Sequence, residues 1–346
     1  MHRSQALRGI AVAVVVSAVG ARAEDITQVR VLPSNAAAGG VTSGFRQAQP
    51  RAGSTALQKA STRQVDRSRG DLSGQGKGQG DGQGSNARQD PGDLQYHGGP
   101  VVTTWLHHTV FVNTTSSCLP NSCWGDPIGF LGDLNRSDFI HVTDQYVGAN
   151  ANNRYPVGNN FAVTYPVGPK PLLDSDMQNI AYAVAKFSQQ TGYGHIFHIF
   201  LVPGQDICFD ASFTVCASNI FCAYHSSFDA DIGHVLYSVE PFADVLGCQA
   251  PPGTPNGQLI DSTDSVLSHE SIEAITDPDG NAWWNSHNLI NFGAEIGDEC
   301  EFIQFTPNGV FFDPVTVSLN GKAYAIQTEY SNKGHACLAG RPDNGQ

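Results

Sequence analysis

The run Ser268-His269-Glu270-Ser271-Ile272-Glu273-Ala274-Ile275-Thr276-Asp277-Pro278 places an imidazole and two carboxylates on adjacent turns of one expected helix. Helix positions four apart share a face, with Cβ atoms roughly 5–6 Å apart, so His269 and Glu273 can meet one cation. Glu270 follows the histidine directly and would stand beside the cation's open coordination position. A general base is needed there if a water is to attack a carbonyl. The pattern is the metallopeptidase His-Glu-x-x-His signature with glutamate in place of the second histidine.

A catalytic cation needs a third protein ligand, and Gly293-Ala294-Glu295-Ile296-Gly297-Asp298-Glu299-Cys300 offers three acids next to a cysteine. Glu295 is favoured, because zinc peptidases with a glutamate ligand on the following helix space it similarly. Asp298 is either that ligand or the acid that orients the histidine. The competing reading is that these acids decorate a helix start or bind calcium. If Glu273 and a downstream carboxylate both bind, one imidazole and two carboxylates cancel the charge of a dication. Such a cation acidifies its water less than the pKa of about 7 reached on catalytic zinc. Zinc is the first expectation, and manganese or calcium gains weight as a harder ion.

Several other residues carry possible chemistry. His225, three residues after Cys222, would be held rigidly if that cysteine is bridged; it suits a cleft wall or an oxyanion contact, or a structural hydrogen bond. Trp283 and Trp284 come after the turn Asp277-Pro278-Asp279-Gly280-Asn281 and would wall the motif or fill the core. Asp277, Asp279 and Asn281 alternate as in calcium loops, without the later glutamate. His97 sits in Tyr96-His97-Gly98-Gly99-Pro100, where the glycines permit close backbone approach. His195 and His198 lie in an apolar strand on opposite faces, so they cannot share a metal. No Gly-x-Ser-x-Gly elbow or phosphate-binding loop occurs.

The elements that must position these groups are read from periodicity. The motif helix is expected to begin near Ser262 to Asp264, with Val266, Leu267, Ile272 and Ile275 as its apolar set, and to stop at Pro278. A second helix spans 174–191, with Met177, Ile180, Ala181, Val184 and Phe187 on one face and Gly192 as its stop. A shorter one starts from a Ser137 cap, with Phe139, Val142, Thr143 and Tyr146 at helical spacing. Strands are expected over 101–112, 161–167, 195–202 and 232–239, then near 301–305, 311–319 and 323–330. Their irregular alternation implies an α+β fold, a mixed β-sheet packed with helices. That is also the plan of zincin-like metallopeptidases.

Composition divides the chain. His2, Arg3 and Arg8, then the apolar run 10–19 and Ala21-Arg22-Ala23, read as a signal peptide over 1–23. Residues 24–93 form a Gly-, Ser-, Gln- and Arg-rich linker or propeptide, with Gly-Gln-Gly-Lys-Gly-Gln-Gly-Asp-Gly-Gln-Gly at 74–84; that segment has too little apolar surface to offset its ordering entropy. Residues 94–340 make a single domain, and 341–346 a tail. After Asp93 there are seven Lys and Arg against twenty-five Asp and Glu. Such an acidic domain disfavours nucleic acid and anionic membranes as partners. No other run is long enough for a membrane anchor.

All eight cysteines fall after residue 117. An even number in an exported chain suggests disulfides, and proximity pairs Cys118 with Cys123, Cys208 with Cys216, Cys222 with Cys248, and Cys300 with Cys337. The spacings lack the Cys-x-x-Cys pairs of structural zinc.

Three islands carry a family resemblance: Tyr96-His97-Gly98-Gly99-Pro100-Val101, Cys222-Ala223-Tyr224-His225-Ser226, and Glu273-Ala274-Ile275-Thr276-Asp277-Pro278. Over most of the chain after residue 95 the sequence resembles the Exordium, or phosphate-induced, protein family. Its plant members are secreted cell-wall proteins linked to growth. They lack the His-Glu pair that would match His269 and Glu270, and this chain departs from them by having it. The resemblance implies a bacterial-type relative with an intact catalytic helix.

Together these readings imply a secreted, disulfide-stabilised metal-dependent hydrolase, a zinc-type endopeptidase acting on peptide or protein, with Glu270 as base. The alternative is a non-catalytic protein that binds cell-wall polymer or carbohydrate, its acids holding a structural cation or none.

Overall fold

The computed structural model describes residues 28–32, 90–115, 118, 123–168, 170–287 and 294–342. The expected signal peptide, most of the linker and the last four residues of the tail lie outside the described residues.

Six strands form one mixed sheet: β1 (Gln28–Leu32), β2 (Leu106–Val112), β3 (Asn160–Thr164), β4 (His195–Phe200), β5 (Tyr224–Ala230) and β6 (Gly233–Glu240). Their spatial order is β1-β3-β2-β4-β6-β5. The four central strands run parallel, and the two outer ones, β1 and β5, are antiparallel to their neighbours. Strands buried on both faces read as continuous apolar runs, which is how Val110-Phe111-Val112 and Ile196-Phe197-His198-Ile199-Phe200 read. Gln28–Leu32 falls inside the span expected as linker, yet it pairs with all of β3. Its Val-Arg-Val-Leu run precedes the low-complexity composition, which starts near Asn35.

Side-chain alternation gives the sheet two different faces. On one, helix α2 (Asp174–Ser188) lays Met177, Ile180, Ala181 and Val184 against Val110, Phe161, Phe197 and Ile199. It closes on Gln189 in the left-handed conformation, three residues before the expected Gly192. On the other face, α1 (Pro127–Asn135) and α3 (Gln258–Thr276) pack Phe130, Leu134, Leu267, Ile272 and Ile275 against Phe111, Ile196 and Phe200. His107, His198, Ser238, Glu240 and His225 alternate onto this second face, under α3.

The motif helix α3 begins at Gln258, before the expected Ser262 to Asp264. The Ser262 and Thr263 hydroxyls donate back to the carbonyls of Gln258 and Leu259 in the preceding turn, so they extend the helix rather than cap it. Asp277 closes its far end by accepting the N–H groups of Asn281 and Ala282 at 2.6 and 2.8 Å. Ser137 likewise donates to the Leu134 carbonyl at 2.7 Å. A 3-10 turn over Phe139–Thr143 and a single helical turn over Asp144–Val147 then take the place of the one helix expected there.

Beyond α3 come three hairpins: β7 (Ile303–Thr306) with β8 (Gly309–Phe312), β9 (Val315–Leu319) with β10 (Lys322–Ile326), and β11 (Glu329–Ser331) with β12 (Ala336–Leu338). The expected strand 311–319 is divided at Asp313-Pro314, because proline brings no N–H to a ladder. All four proximity pairings of the cysteines are present as disulfides. They suit an oxidising compartment. Among the described residues no helix is long and apolar enough to cross a membrane.

Candidate metal centre

Helix α3 buries His269, Glu270 and Glu273 together. The His269 Nε2 lies 3.2 Å from Glu273 Oε1, within ion-pair reach, and 3.8 Å from Asp298 Oδ1. One ligand atom from each of the three residues falls within 4.8 Å of the others. Atoms bound at about 2.1 Å around a tetrahedral ion stand roughly 3.4 Å apart, and the two measured separations bracket that spacing. The donor set, one imidazole nitrogen and two carboxylates, fits a divalent cation.

Asp298 is carried by a turn that folds back on itself. Its Oδ2 accepts the Glu295 N–H at 3.1 Å, and its own N–H donates to Glu273 Oε1 at 3.2 Å. Gly297, just before it, lies so close to the His269 ring that a Cβ there would stand 2.5 Å from Nδ1. The turn therefore directs Asp298, and not Glu295, to His269 and Glu273. Glu295 passes to the far side of His225, with Oε1 3.8 Å from that ring's Nε2.

His225 enters from β5, the antiparallel edge strand, behind the Cys222–Cys248 bridge. Its Nδ1 is 3.3 Å from Glu270 Oε2 and 3.7 Å from Glu273 Oε2, and its Nε2 is 3.1 Å from the Asp277 carbonyl oxygen. Nε2–H donates to that carbonyl, which leaves Nδ1 and Glu270 to share one proton. Beside Glu270 and His269 is a cavity of about 20 Å³, walled further by Ala223, Gly247, Phe312 and Gln327. That is room for about one water.

Crowded acids set the charge states. Burial drives the Glu270 carboxyl well above its ordinary range; His269 draws it back, and Glu273 and Glu240 raise it again. Burial, reinforced by the Glu273 charge, pushes Asp298 up to about 8. Burial acts on Glu273 in the same direction, but the His269 charge holds it below the usual carboxylate range. For His269 itself burial opposes the charged form, and Glu273, with Glu270 and Asp298 behind it, holds it well above the ordinary value. The cluster calls for positive charge, and one protonated imidazole now supplies it.

Two further acids stand next to this cluster without any local sequence signal. Glu240, at the end of β6, takes the Ser238 hydroxyl at 2.7 Å. Ser238 is 2.7 Å from His198 Nδ1, and His198 Nε2 is 2.7 Å from His107 Nδ1. The result is a buried polar line across three strands that ends beside Glu270. Glu329 opens β11, buried near His269, Glu273 and Asp298.

The remaining expectations are placed elsewhere. Trp283, half-buried against the core, donates its Nε1–H to the Tyr146 carbonyl at 2.9 Å and packs edge-on against the Tyr146 ring. The Trp284 ring stacks on His97 at 3.7 Å. Asp279 pairs with His234 and Tyr193 at 2.9 and 2.6 Å, apart from Asp277, so no calcium loop forms there. His195 and His198 do face opposite sides, toward His108 and His107 respectively. No protein-family profile, curated protein or solved structure matches this chain.

Proposed function

We propose that the chain is a secreted metal-dependent hydrolase of peptidase type, in which His269, Glu273 and Asp298 hold a divalent cation and Glu270 moves the proton. The supporting observation is the convergence of three ligand atoms within 4.8 Å beside a buried Glu270. The cation would supply Lewis acidity toward a substrate carbonyl and toward the attacking water. Glu270, its carboxyl already shared with His225, takes the water's proton and passes it to the leaving amine. His225 sets the orientation of Glu270, and the line from His107 to Glu240 keeps a second carboxylate behind it. A zincin-like architecture and membership of the Exordium family belong to the same reading; the mixed sheet under a His-Glu helix supports the first and the three shared islands the second.

The test is Glu270→Gln in the full chain. The variant should retain its cation and lose chelator-sensitive cleavage of casein by about 10²-fold or more, the usual contribution of general acid–base catalysis. Undiminished proteolysis by the variant, or no stoichiometric cation in protein purified without chelator, would overturn the proposal. Retention on cell-wall polysaccharide without turnover would favour the binding reading instead.

A further inference from the structure

Glu273 turns its two carboxylate oxygens to two different imidazoles. Oε1 lies 3.2 Å from His269 Nε2, and Oε2 lies 3.7 Å from His225 Nδ1. The same His225 nitrogen is 3.3 Å from Glu270 Oε2. One ligand atom from each of His225, Glu270 and Glu273 therefore falls within 4.8 Å of the others, and all three side chains are buried. The separations of 3.3 and 3.7 Å bracket the roughly 3.4 Å between donor atoms around a tetrahedral ion.

His225 is held in the way a ligating histidine is held. Its Nε2–H donates to the Asp277 carbonyl at 3.1 Å, so the lone pair open to an ion is on Nδ1, the nitrogen that faces the two carboxylates. Metal-bound histidines almost always give their other ring N–H to a carbonyl, a carboxylate or water, which fixes the tautomer and the plane of the ring. The imidazole comes from β5, just after the Cys222–Cys248 bridge, and the acids come from α3. The meeting is thus a product of tertiary structure and not of one helix face. In the working state described above a proton holds Nδ1 to Glu270, and a dication can take the place of that proton.

We infer that the centre has a second cation position, made by His225 Nδ1, Glu270 and Glu273 Oε2, with the Glu273 carboxylate bridging it to the ion on His269 and Asp298, and that filling it switches the hydrolase off. This rests on the metal reading above and adds the regulation of the same site. Paired ions in two-metal sites stand about 3.5–4 Å apart, so the second ion meets the charge of the first and must also displace the shared proton. It binds later and more weakly. An ion on Glu270 occupies the lone pairs with which that carboxylate accepts the proton of the attacking water. The first equivalent therefore activates and the second inhibits. Zinc, which takes imidazole and carboxylate together, is the ion that shows it.

The experiment adds Zn2+ to chelator-stripped full-length protein and reads stoichiometry and affinity by calorimetry, with casein cleavage in parallel, for wild type, His225→Gln and Asp298→Asn. Wild type should bind two ions, the second about 5- to 150-fold more weakly, the usual range of coupling between sites, and cleavage should rise over the first equivalent and fall over the second. His225→Gln should bind one ion, and whatever cleavage it retains should not fall in excess Zn2+. Asp298→Asn loses a ligand of the first position only and should still take up an ion, which keeps the test open if His225→Gln does not fold. A single equivalent bound by wild type, a second equivalent that raises the rate, inhibition undiminished in His225→Gln, or no binding by folded Asp298→Asn would each overturn the inhibitory position and leave the first one standing. No ion bound by wild type would instead remove the parent reading.

Discussion

Gly297 offers the sharpest test of whether His269 is a ligand, because it touches the imidazole and nothing else about it demands glycine. Its φ of −79° and ψ of −42° are ordinary helical values. Alanine there carries no backbone penalty and even lowers unfolded-state entropy, by about 0.4–1 kcal/mol. The added Cβ, however, would stand 2.5, 2.8 and 3.0 Å from His269 Nδ1, Cε1 and Cγ. Restoring ordinary contact at about 3.4 Å requires the ring to retreat by about 0.9 Å, and crowding of this kind costs roughly 1–3 kcal/mol. The two effects largely offset, so Gly297→Ala should be folded and destabilised by about 1 kcal/mol. Metal binding has no such compensation. Ligand distances are held within about 0.2 Å, so a ring displaced by several times that distance leaves the coordination sphere.

The expected result is a fall in metal affinity of at least about 10- to 100-fold, read by competition with a colorimetric chelator and accompanied by thermal unfolding of the metal-free form. Gly194→Ala, where a Cβ meets nothing within 4 Å, is the control and should bind as wild type does. A folded Gly297→Ala protein with wild-type affinity would mean that the imbalance of charge around His269 is not resolved by a cation on Nε2.

Two other perturbations probe the same frame. Replacing Cys300 and Cys337 by alanine opens a loop with a sequence separation of 37, which the chain-entropy estimate values at roughly 4 kcal/mol; because Cys300 ends the turn that carries Asp298, metal affinity should fall along with the denaturant midpoint, and a change in stability alone would detach the bridge from the site. His108 gives a pH signature away from the centre: burial depresses its pKa from 6.5 to about 4, so the unfolded chain takes up the proton first. The stabilising effect is fully present above about 6.5 and is lost as pH falls toward 4, by roughly 3 kcal/mol. Urea unfolding at pH 7.5 and pH 4.5 should show the wild-type advantage over His108→Gln shrinking by that order, and an advantage independent of pH would contradict the assignment.

What could be read from the sequence was what short range decides. His269, Glu270 and Glu273 share a helix face because of a four-residue spacing, and the four bridges join cysteines that are close along the chain. Glu295 and Asp298 could not be ranked, since the choice depends on a turn in which Asp298 Oδ2 captures the Glu295 N–H, and nothing in the spacing records that capture. Helix α1 does carry a local signal, though no helix is expected there from periodicity: Asp126 accepts the Gly129 N–H at 3.0 Å with Pro127 behind it, the usual cap and then proline at the first helical position. Glu240 and Glu329 belong to another category. Each sits at one end of a strand with no chemistry-bearing neighbour in sequence, and only the pairing of β6 with β4 and the return of β11 past Asp298 bring them to the helix.

Helix α3 explains why such distant acids were gathered at all. Leu267, Ile272 and Ile275 pack α3 into the apolar core, yet the same helix also buries His269 and the acids Asp261, Asp264, Glu270 and Glu273, and aspartate and glutamate are almost never fully buried unless paired. Asp261 is answered locally: the backbone and side-chain amides of Asn256, and the Ala325 N–H, all donate to it at 2.9–3.1 Å. Asp133, on α1 itself, is answered by Lys322 and Tyr324 at 2.8 Å each. The centre is treated differently: burial raises Glu270, Asp298 and Glu329 together, so the folded protein without a cation must keep protons on acids that would be ionised in the unfolded chain at neutral pH. By linkage that lowers stability as pH rises, and an ion that binds only the folded form restores it by mass action. The cost built into α3 therefore has a direction: saturating cation should raise the midpoint of unfolding more at pH 8 than at pH 5.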